Sequence, residues 1–388
     1  MAATGKHITI SSVGEKVRAF IPNPLPPVPP LVLKSIDQDL IEKANRALGK
    51  LDGITTYVPD AQLFIYFYVR KEALLSSQIE GTQSSFSDFL LFENEDAPGV
   101  PLDDVQEVSN YVAAMNHGLK RLRQDDFPIS LRLIREIHRV LLSKGRGNDK
   151  NPGEFRRSQN WVGGSRPGNA LYVPPPPEHV AQCMGQLELF LHDQPTRTPV
   201  LIKAALAHAQ FETIHPFLDG NGRLGRLLIT LLLCAEDALQ EPLLYLSLYF
   251  KRNRQEYYDW LQRVRIKGDW NSWLQFFLNG VIETAQQATE TVNIVLQRFK
   301  DDRSQIDRQV RRNNESTWRL HNLIKMKPMI SVPTATNELG LTAPTVRSAV
   351  KNLEAMGILR EITGKRRDRI YLYEPYVKIL DEGTEPLP

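Results

Sequence analysis

Apolar residues recur at helical spacing through most of this 388-residue chain. Over 61–80, Phe64, Phe67, Tyr68, Leu74, Leu75 and Ile79 mark one face, with Asp60 as N-cap and Gly81 as the stop. The same spacing predicts a short helix over 35–50 and further helices over 103–124, 131–143, 178–194 and 200–213. In 131–143 the stripe is Leu131, Ile134, Ile137, His138, Leu141 and Leu142, which makes His138 a hydrogen-bonded core histidine rather than a catalyst. A buried helix starts at Gly222 with Leu224, Leu227, Leu228, Leu231 and Leu232, and others cover 254–264 and 270–310. Extended pieces flank the turn Gly163-Gly164-Ser165-Arg166-Pro167-Gly168, a hairpin pattern. The prolines of 21–30 exclude helix and predict an extended arm laid across the folded body.

Beyond 313–317 the pattern changes. Helices over 318–326, 334–339 and 342–356 precede two alternating segments, 358–361 and 370–373, around the basic turn Gly364-Lys365-Arg366-Arg367. That order is a helix-turn-helix with a wing. From 318 to 373 there are 10 Lys/Arg against 4 Asp/Glu, a surplus that a phosphate backbone favours. Thr345, Arg347, Ser348 and Lys351 are the DNA-facing candidates on its third helix; contacts in a homodimer or with another protein are the other use of such a module.

Length predicts two or three domains, and 41% apolar residues supply real cores. The net charge of +3 implies no global affinity for polyanions. Cys183 and Cys234 lack metal-site spacing, and the first 20 residues lack a signal-peptide core. Leu227–Ala235 is too short to span a bilayer. A soluble, reduced, cytoplasmic protein without a membrane partner is expected.

The chemistry gathers in 211–226. His215 precedes a proline that stops a helix. Asp219-Gly220-Asn221-Gly222 then forms a tight turn into the next helix, whose start aims N–H groups and a favourable dipole at an anion. Arg223 and Arg226, three residues apart, can lean toward that anion, and Asp219 can hold a metal against phosphates. The Gly-Lys-Ser/Thr ending of a P-loop is absent.

This stretch resembles the signature of the Fic family, His-x-Phe-x-Asp/Glu-Gly-Asn-Gly-Arg-x-x-Arg, at every fixed position. The resemblance implies a mainly α fold: a Fic helical core with a small β-hairpin flap over the active site, here joined to a C-terminal winged helix-turn-helix. It places an N-terminal arm and short helix over 1–58, the Fic domain over 59–312, the winged helix over 313–376 and a tail over 377–388. It implies transfer of AMP from ATP, with Mg²⁺, to a hydroxyl of a protein, itself included. His215 would be the general base and Asp219 the Mg²⁺ ligand. ATP would be held by Asp219, Gly220, Asn221, Gly222, Arg223, Leu224, Gly225 and Arg226, with Tyr257 and Tyr258 either walling an adenine pocket or belonging to the core. Gly163, Gly164 and Ser165 would form the target-binding tip of the flap. Ser76-Ser77-Gln78-Ile79-Glu80-Gly81 resembles the family's inhibitory motif Ser/Thr-x-x-x-Glu-Gly/Asn. Ser76 and Glu80 share a helix face, and an acid at a helix C-terminus needs a cationic partner, which the resemblance makes Arg226. A DNA-binding regulator whose site only senses nucleotide is the reading from another class. Within the enzyme class, other donors and removal of AMP also stay open.

Overall fold

The computed structural model describes residues 4–57, 61–93, 102–309 and 314–386. Asp60 and the boundary residue Asn313 lie outside them. The chain opens with an antiparallel hairpin, β1 (Gly5–Ser12) and β2 (Glu15–Pro22), in register from Gly5↔Pro22 to Ser12↔Glu15. Its turn, Val13-Gly14, has positive φ at both residues (50° and 78°), a geometry whose twist suits paired strands. The sequence pattern predicts strands for the flap and for 358–373 only, so this hairpin is an addition to it. The Pro-rich segment follows, tied to the body by Gln210 Nε2→Asn23 O (2.9 Å).

Helices α1 (Ser35–Tyr57), α2 (Ala61–Ile79), α3 (Phe86–Glu93), α4 (Leu102–Gln124) and α5 (Leu131–Leu141) come next. After the flap region come α6 (Pro177–Leu191), α7 (Val200–Ile214), α8 (Asn221–Ala235), α9 (Ser247–Arg252), α10 (Arg254–Lys267) and α11 (Trp270–Gln309). α1 runs past the expected end at 50 because it lies along α11 and still buries Leu51. α11 is one 40-residue helix rather than several. α7 is buried on every side from Leu201 to Ile214, the mark of a helix at the centre of a domain rather than on its surface. It packs against α6, α8, α10 and α11 and therefore fixes where its last residue, and His215 beyond it, can stand.

The C-terminal part comprises α12 (Asn314–Met326), β3 (Met329–Ser331), α13 (Val332–Leu339), α14 (Ala343–Ala355), β4 (Arg360–Glu361), β5 (Ile370–Leu372) and α15 (Glu374–Asp381). Its sheet has the order β3-β5-β4, all antiparallel. α15 replaces the start of the expected tail. One apolar cluster runs from Ile21 through this part to Leu380, so the module shares the core rather than hanging from a linker. Tyr373 stacks on Phe299 of α11 (6.2 Å) and its hydroxyl donates to the buried Asp302 carboxylate.

The flap is slighter than a hairpin ladder. A single bridge joins Val162 and Tyr172, through Val162 N→Tyr172 O (2.8 Å) and Tyr172 N→Val162 O (3.2 Å), around a 3₁₀ turn at Pro167–Asn169. Its other edge is taken by the N-terminal hairpin, through Phe20 N→Val173 O (2.9 Å).

Candidate active site

His215 ends α7 in the left-handed region (φ 50°, ψ 60°), where its N–H still bonds Phe211 O. Proline next door disfavours the right-handed helical region, so the chain breaks here and not a turn later. A non-glycine residue in this region persists only when its surroundings hold it. Here Arg156, itself buried, donates from Nε to His215 O (2.9 Å). Asn160 Nδ2 bonds Phe217 O (3.0 Å), and the Asn221 amide closes the turn on both sides of Phe217, accepting from its N–H (2.9 Å) and donating to its C=O (2.8 Å). Gly220 takes φ +76° at the start of α8. The first intrahelical bond of α8 is Leu224 N→Gly220 O, which leaves the N–H groups of Asn221, Gly222 and Arg223 as the usual spare donors of a helix start.

His138 supports this turn from below. Its Nδ1 accepts Gly153 N–H (2.8 Å), so Nε2 carries the proton and donates to Asp219 O (3.0 Å), while the ring stacks on Phe217 at 3.8 Å. Burial pushes its pKa down to about 4, which keeps this tautomer neutral. The structure thus uses His138 as a brace, as its place on an apolar stripe predicts. His215 is also neutral: burial, then the charges of Arg265 and Arg156, push its pKa down to about 4. Its Nδ1 is buried without a hydrogen bond, 3.9 Å from Glu212 Oε2, and its side chain is 21% exposed.

The two arginines point to different partners. Arg223, buried, pairs through Nη1 with Glu107 on α4 (2.8 Å) and lies 3.5 Å from Asp219 Oδ1. Arg226, also buried, donates from Nε to Ser76 Oγ (2.8 Å) and from Nη2 to both Ser76 O (2.9 Å) and Glu80 Oε1 (2.7 Å). Burial raises the Glu80 pKa, but the charge and hydrogen bond of Arg226, with Arg223 and His215 behind it, hold it below the usual range. Glu80 stands just beyond the end of α2, in a turn closed by Gly81 at φ +102°. Its carboxylate covers the start of α8: a Cβ on Gly222 would stand 2.2 Å from Glu80 Oε1. Two further carboxyls lie buried near Arg226. Burial pushes both Glu72, which accepts from Ser247 N (3.1 Å), and Glu212 up to about 7.

The other expected site residues differ in where their side chains lie. Leu224 is wholly in the core, and Gly225 packs on α7, where a Cβ would meet Glu212 Oε1 at 2.6 Å; neither side faces the turn. The Asn221 side chain braces the loop rather than reaching outward. Tyr257 is core, stacked on Phe250 (4.6 Å) with its hydroxyl on His208 (2.9 Å), whereas Tyr258 is 37% exposed. Gly163, Gly164 and Ser165 are exposed at the flap tip. On α14, Arg347 and Lys351 are exposed and Thr345 and Ser348 half-buried. Glu107, Arg156, Asn160 and Glu212 were given no role by the sequence; Glu212 lies within 211–226 but before the fixed positions of the signature, and the other three lie outside it.

Asp219 carries the loop's only carboxylate: Oδ1 accepts Gly220 N–H (2.6 Å) and the side chain is 27% exposed. One carboxylate completed by phosphate oxygens and water is a donor set that Mg²⁺ takes, so the residues present fit that ion.

A mainly helical fold with an anion-receiving turn between two buried helices is the class these features define. Residues 38–120 match the Fic/DOC family N-terminal model and residues 128–233 the Fic/DOC family model. The chain is 32% identical over 254 residues to the protein adenylyltransferase Fic of Aedes aegypti, 63% of this chain and 46% of that one. It is 35% identical over 180 residues to the protein of the same name from Drosophila grimshawi, 46% of this chain and 34% of that one. The chain therefore spans less than half the length of these relatives. Among solved structures, it shares its fold with a Fic family protein from Desulfovibrio desulfuricans G20 (TM-score 0.58, 20% identity, 88% of this chain and 97% of that one). A Fic domain containing signaling protein from Bacteroides thetaiotaomicron is similar too (TM-score 0.51, 20% identity, 66% and 96%). No helix among the described residues is long and apolar enough to cross a membrane.

Proposed function

We propose that the protein is an adenylyltransferase that moves AMP from ATP to a Ser, Thr or Tyr hydroxyl of a protein, itself included, and that Glu80 restrains it. One juxtaposition supports this most: a neutral histidine at the lip of a helix start built for anions, whose second arginine is held by an acid from another helix. In this reading the triphosphate lies over the N–H groups of Asn221–Arg223, with Arg226 for its far end once Glu80 leaves. The target hydroxyl attacks the α-phosphorus in line, an O–P bond forms, and the bond to the diphosphate breaks. His215 takes the hydroxyl proton; with Nδ1 shut in, Nε2 is the nitrogen that receives it. Asp219 would hold Mg²⁺, which neutralises charge on the phosphates and the departing diphosphate. Arg223 is already neutralised by Glu107 and acts mainly to orient Asp219. Tyr258, not Tyr257, is left to line the adenine side.

The C-terminal part supports a second role, a winged helix in which α13 and α14 form the helix-turn-helix. Exposed Arg347 and Lys351 on α14 and the exposed basic turn 364–369 are the observations that favour DNA. Labelled ATP with Mg²⁺ tests the first role: label on the protein is expected, and its absence even from a Glu80→Gly variant and added cell proteins would end the proposal.

A further inference from the structure

A cavity of about 350 Å³ opens between the N-terminal hairpin, the flap and α10. His7, Lys16, Arg18 and Arg265 line it, beside Leu171 and Tyr172, and no carboxylate does. None of the four basic residues pairs with a carboxylate among the described residues. Glu15, at the hairpin turn, is engaged by Arg166 and by Gly168 N–H (2.8 Å). Arg265 is the inner wall: it donates to Glu212 O (3.1 Å) and Thr213 Oγ1 (3.3 Å), and its guanidinium lies 4.1 Å from the Tyr172 ring centroid. Tyr172 in turn donates to Thr213 O (2.6 Å). The cavity therefore rests on the last turn of α7, two residues before His215.

Lys16, Arg18 and Arg265, three cations in a recess without a carboxylate partner among the described residues, call for an anion. We propose that the cavity receives an Asp or Glu side chain of the target protein, so that the enzyme selects hydroxyls with an acidic neighbour. An extended chain advances about 3.4 Å per residue, so a carboxylate here leaves a hydroxyl a few residues away within reach of His215. The exposed Leu171 on the rim offers apolar contact to the intervening residue. The proposal rests on His215 being the transfer centre. It is tested on the full chain with two fluorescent peptides, one with Asp and Glu around a Ser or Tyr hydroxyl and one with Asn and Gln instead, using anisotropy for binding. The acidic peptide should bind, the neutral one at least about tenfold more weakly, and the Lys16→Glu/Arg18→Glu variant should lose the difference. A Lys-flanked peptide should gain on that variant. ATP binding, followed separately, should not move, which keeps this test apart from that of the transfer reaction. Equal binding of both peptides, or tight binding of inorganic phosphate without the acidic peptide, would overturn the proposal.

A different set of contacts concerns Glu80. Residues 382–385 lie against α2, the helix that Glu80 follows: Gln78 Nε2 donates to Thr384 O (2.7 Å) and Ser84 O (2.9 Å), and Lys71 Nζ to Glu382 O (2.7 Å). From α9, Lys251 Nζ donates to Gly383 O (3.3 Å) and Glu385 O. Lys71, Gln78, Lys251 and Thr384 are all buried, and neither lysine has a carboxylate within ion-pair distance among the described residues. The geometry points to the tail from residue 382 as a strap that keeps α2, and so Glu80, seated on Arg226. This rests on Glu80 being inhibitory. Removing residues from 382 onward should raise self-labelling toward the Glu80→Gly rate and add nothing in a Glu80→Gly background; Gln78→Leu should act likewise if truncation impairs folding. Wild-type rates in both variants, with Glu80→Gly fast, would overturn the strap. A slow Glu80→Gly would instead overturn the inhibition beneath it.

Discussion

Replacing Glu80 by glycine removes one contact from a buried guanidinium and leaves the two to Ser76 in place. The lost interaction is a charge-assisted hydrogen bond of 2.7 Å between an arginine that is 2% exposed and a carboxylate that is 34% exposed. Such bonds contribute about 1.5–3 kcal/mol when well placed, and the solvent reaching Glu80 argues for the lower half, about 1.5–2 kcal/mol. At about 1.4 kcal/mol per factor of ten, productive triphosphate binding should rise about 10- to 30-fold. The carboxylate also occupies space at Gly222, so its removal frees the helix start as well as the arginine. Initial rates of AMP transfer from labelled ATP, compared between wild type and Glu80→Gly at equal concentration, read this directly. Glu80→Gln, which keeps the shape but loses the charge, should fall between them. A Glu80→Gly rate equal to wild type, in protein that remains folded, would refute the reasoning.

Other outcomes follow from the same geometry. His215→Ala should abolish transfer while ATP binding, by calorimetry in the Glu80→Gly background, stays within about threefold of its parent. Because burial depresses the His215 pKa to about 4, the acid limb of kcat/KM should lie well below the usual histidine range near 6.5; a limb at 6.5 contradicts the burial. The Glu212 carboxyl titrates near 7 folded and near 4.5 unfolded, so its stabilising contribution is present below about pH 4.5 and is lost as pH rises through 7. Tm should accordingly fall between pH 5 and 8, and less steeply for Glu212→Gln; parallel curves would be the contrary result. Gly225→Ala places a Cβ 2.6 Å from Glu212 Oε1 and should cost about 1–3 kcal/mol in denaturant unfolding.

The turn at 215–226 was legible because its parts are contiguous: the proline after His215, the glycines and the apolar helix that follows all act within one turn of chain. The pairing of Glu80 with Arg226 spans 146 residues and could be named only through resemblance, since periodicity says that Glu80 shares a face with Ser76 but not what that face meets. Glu107, Arg156 and the tail contacts were not legible at all, because each joins segments far apart in sequence. The N-terminal hairpin escaped because Val13-Gly14 is a weaker turn signal than Asn-Gly, although Ile8 and Ile10, and Val17, Ala19 and Ile21, do alternate with other residues along its strands. Which way Leu224 and Gly225 face was not legible in the signature: α8 turns the Leu224 side chain into the core and packs Gly225 against α7.

Intact-protein mass spectrometry of the Glu80→Gly protein after treatment with ATP and Mg²⁺, alone and with cell lysate, tests the central claim most directly. An added adenylate that disappears in Glu80→Gly/His215→Ala is the expected result. No adduct on any protein, or an undiminished one without His215, would contradict the account.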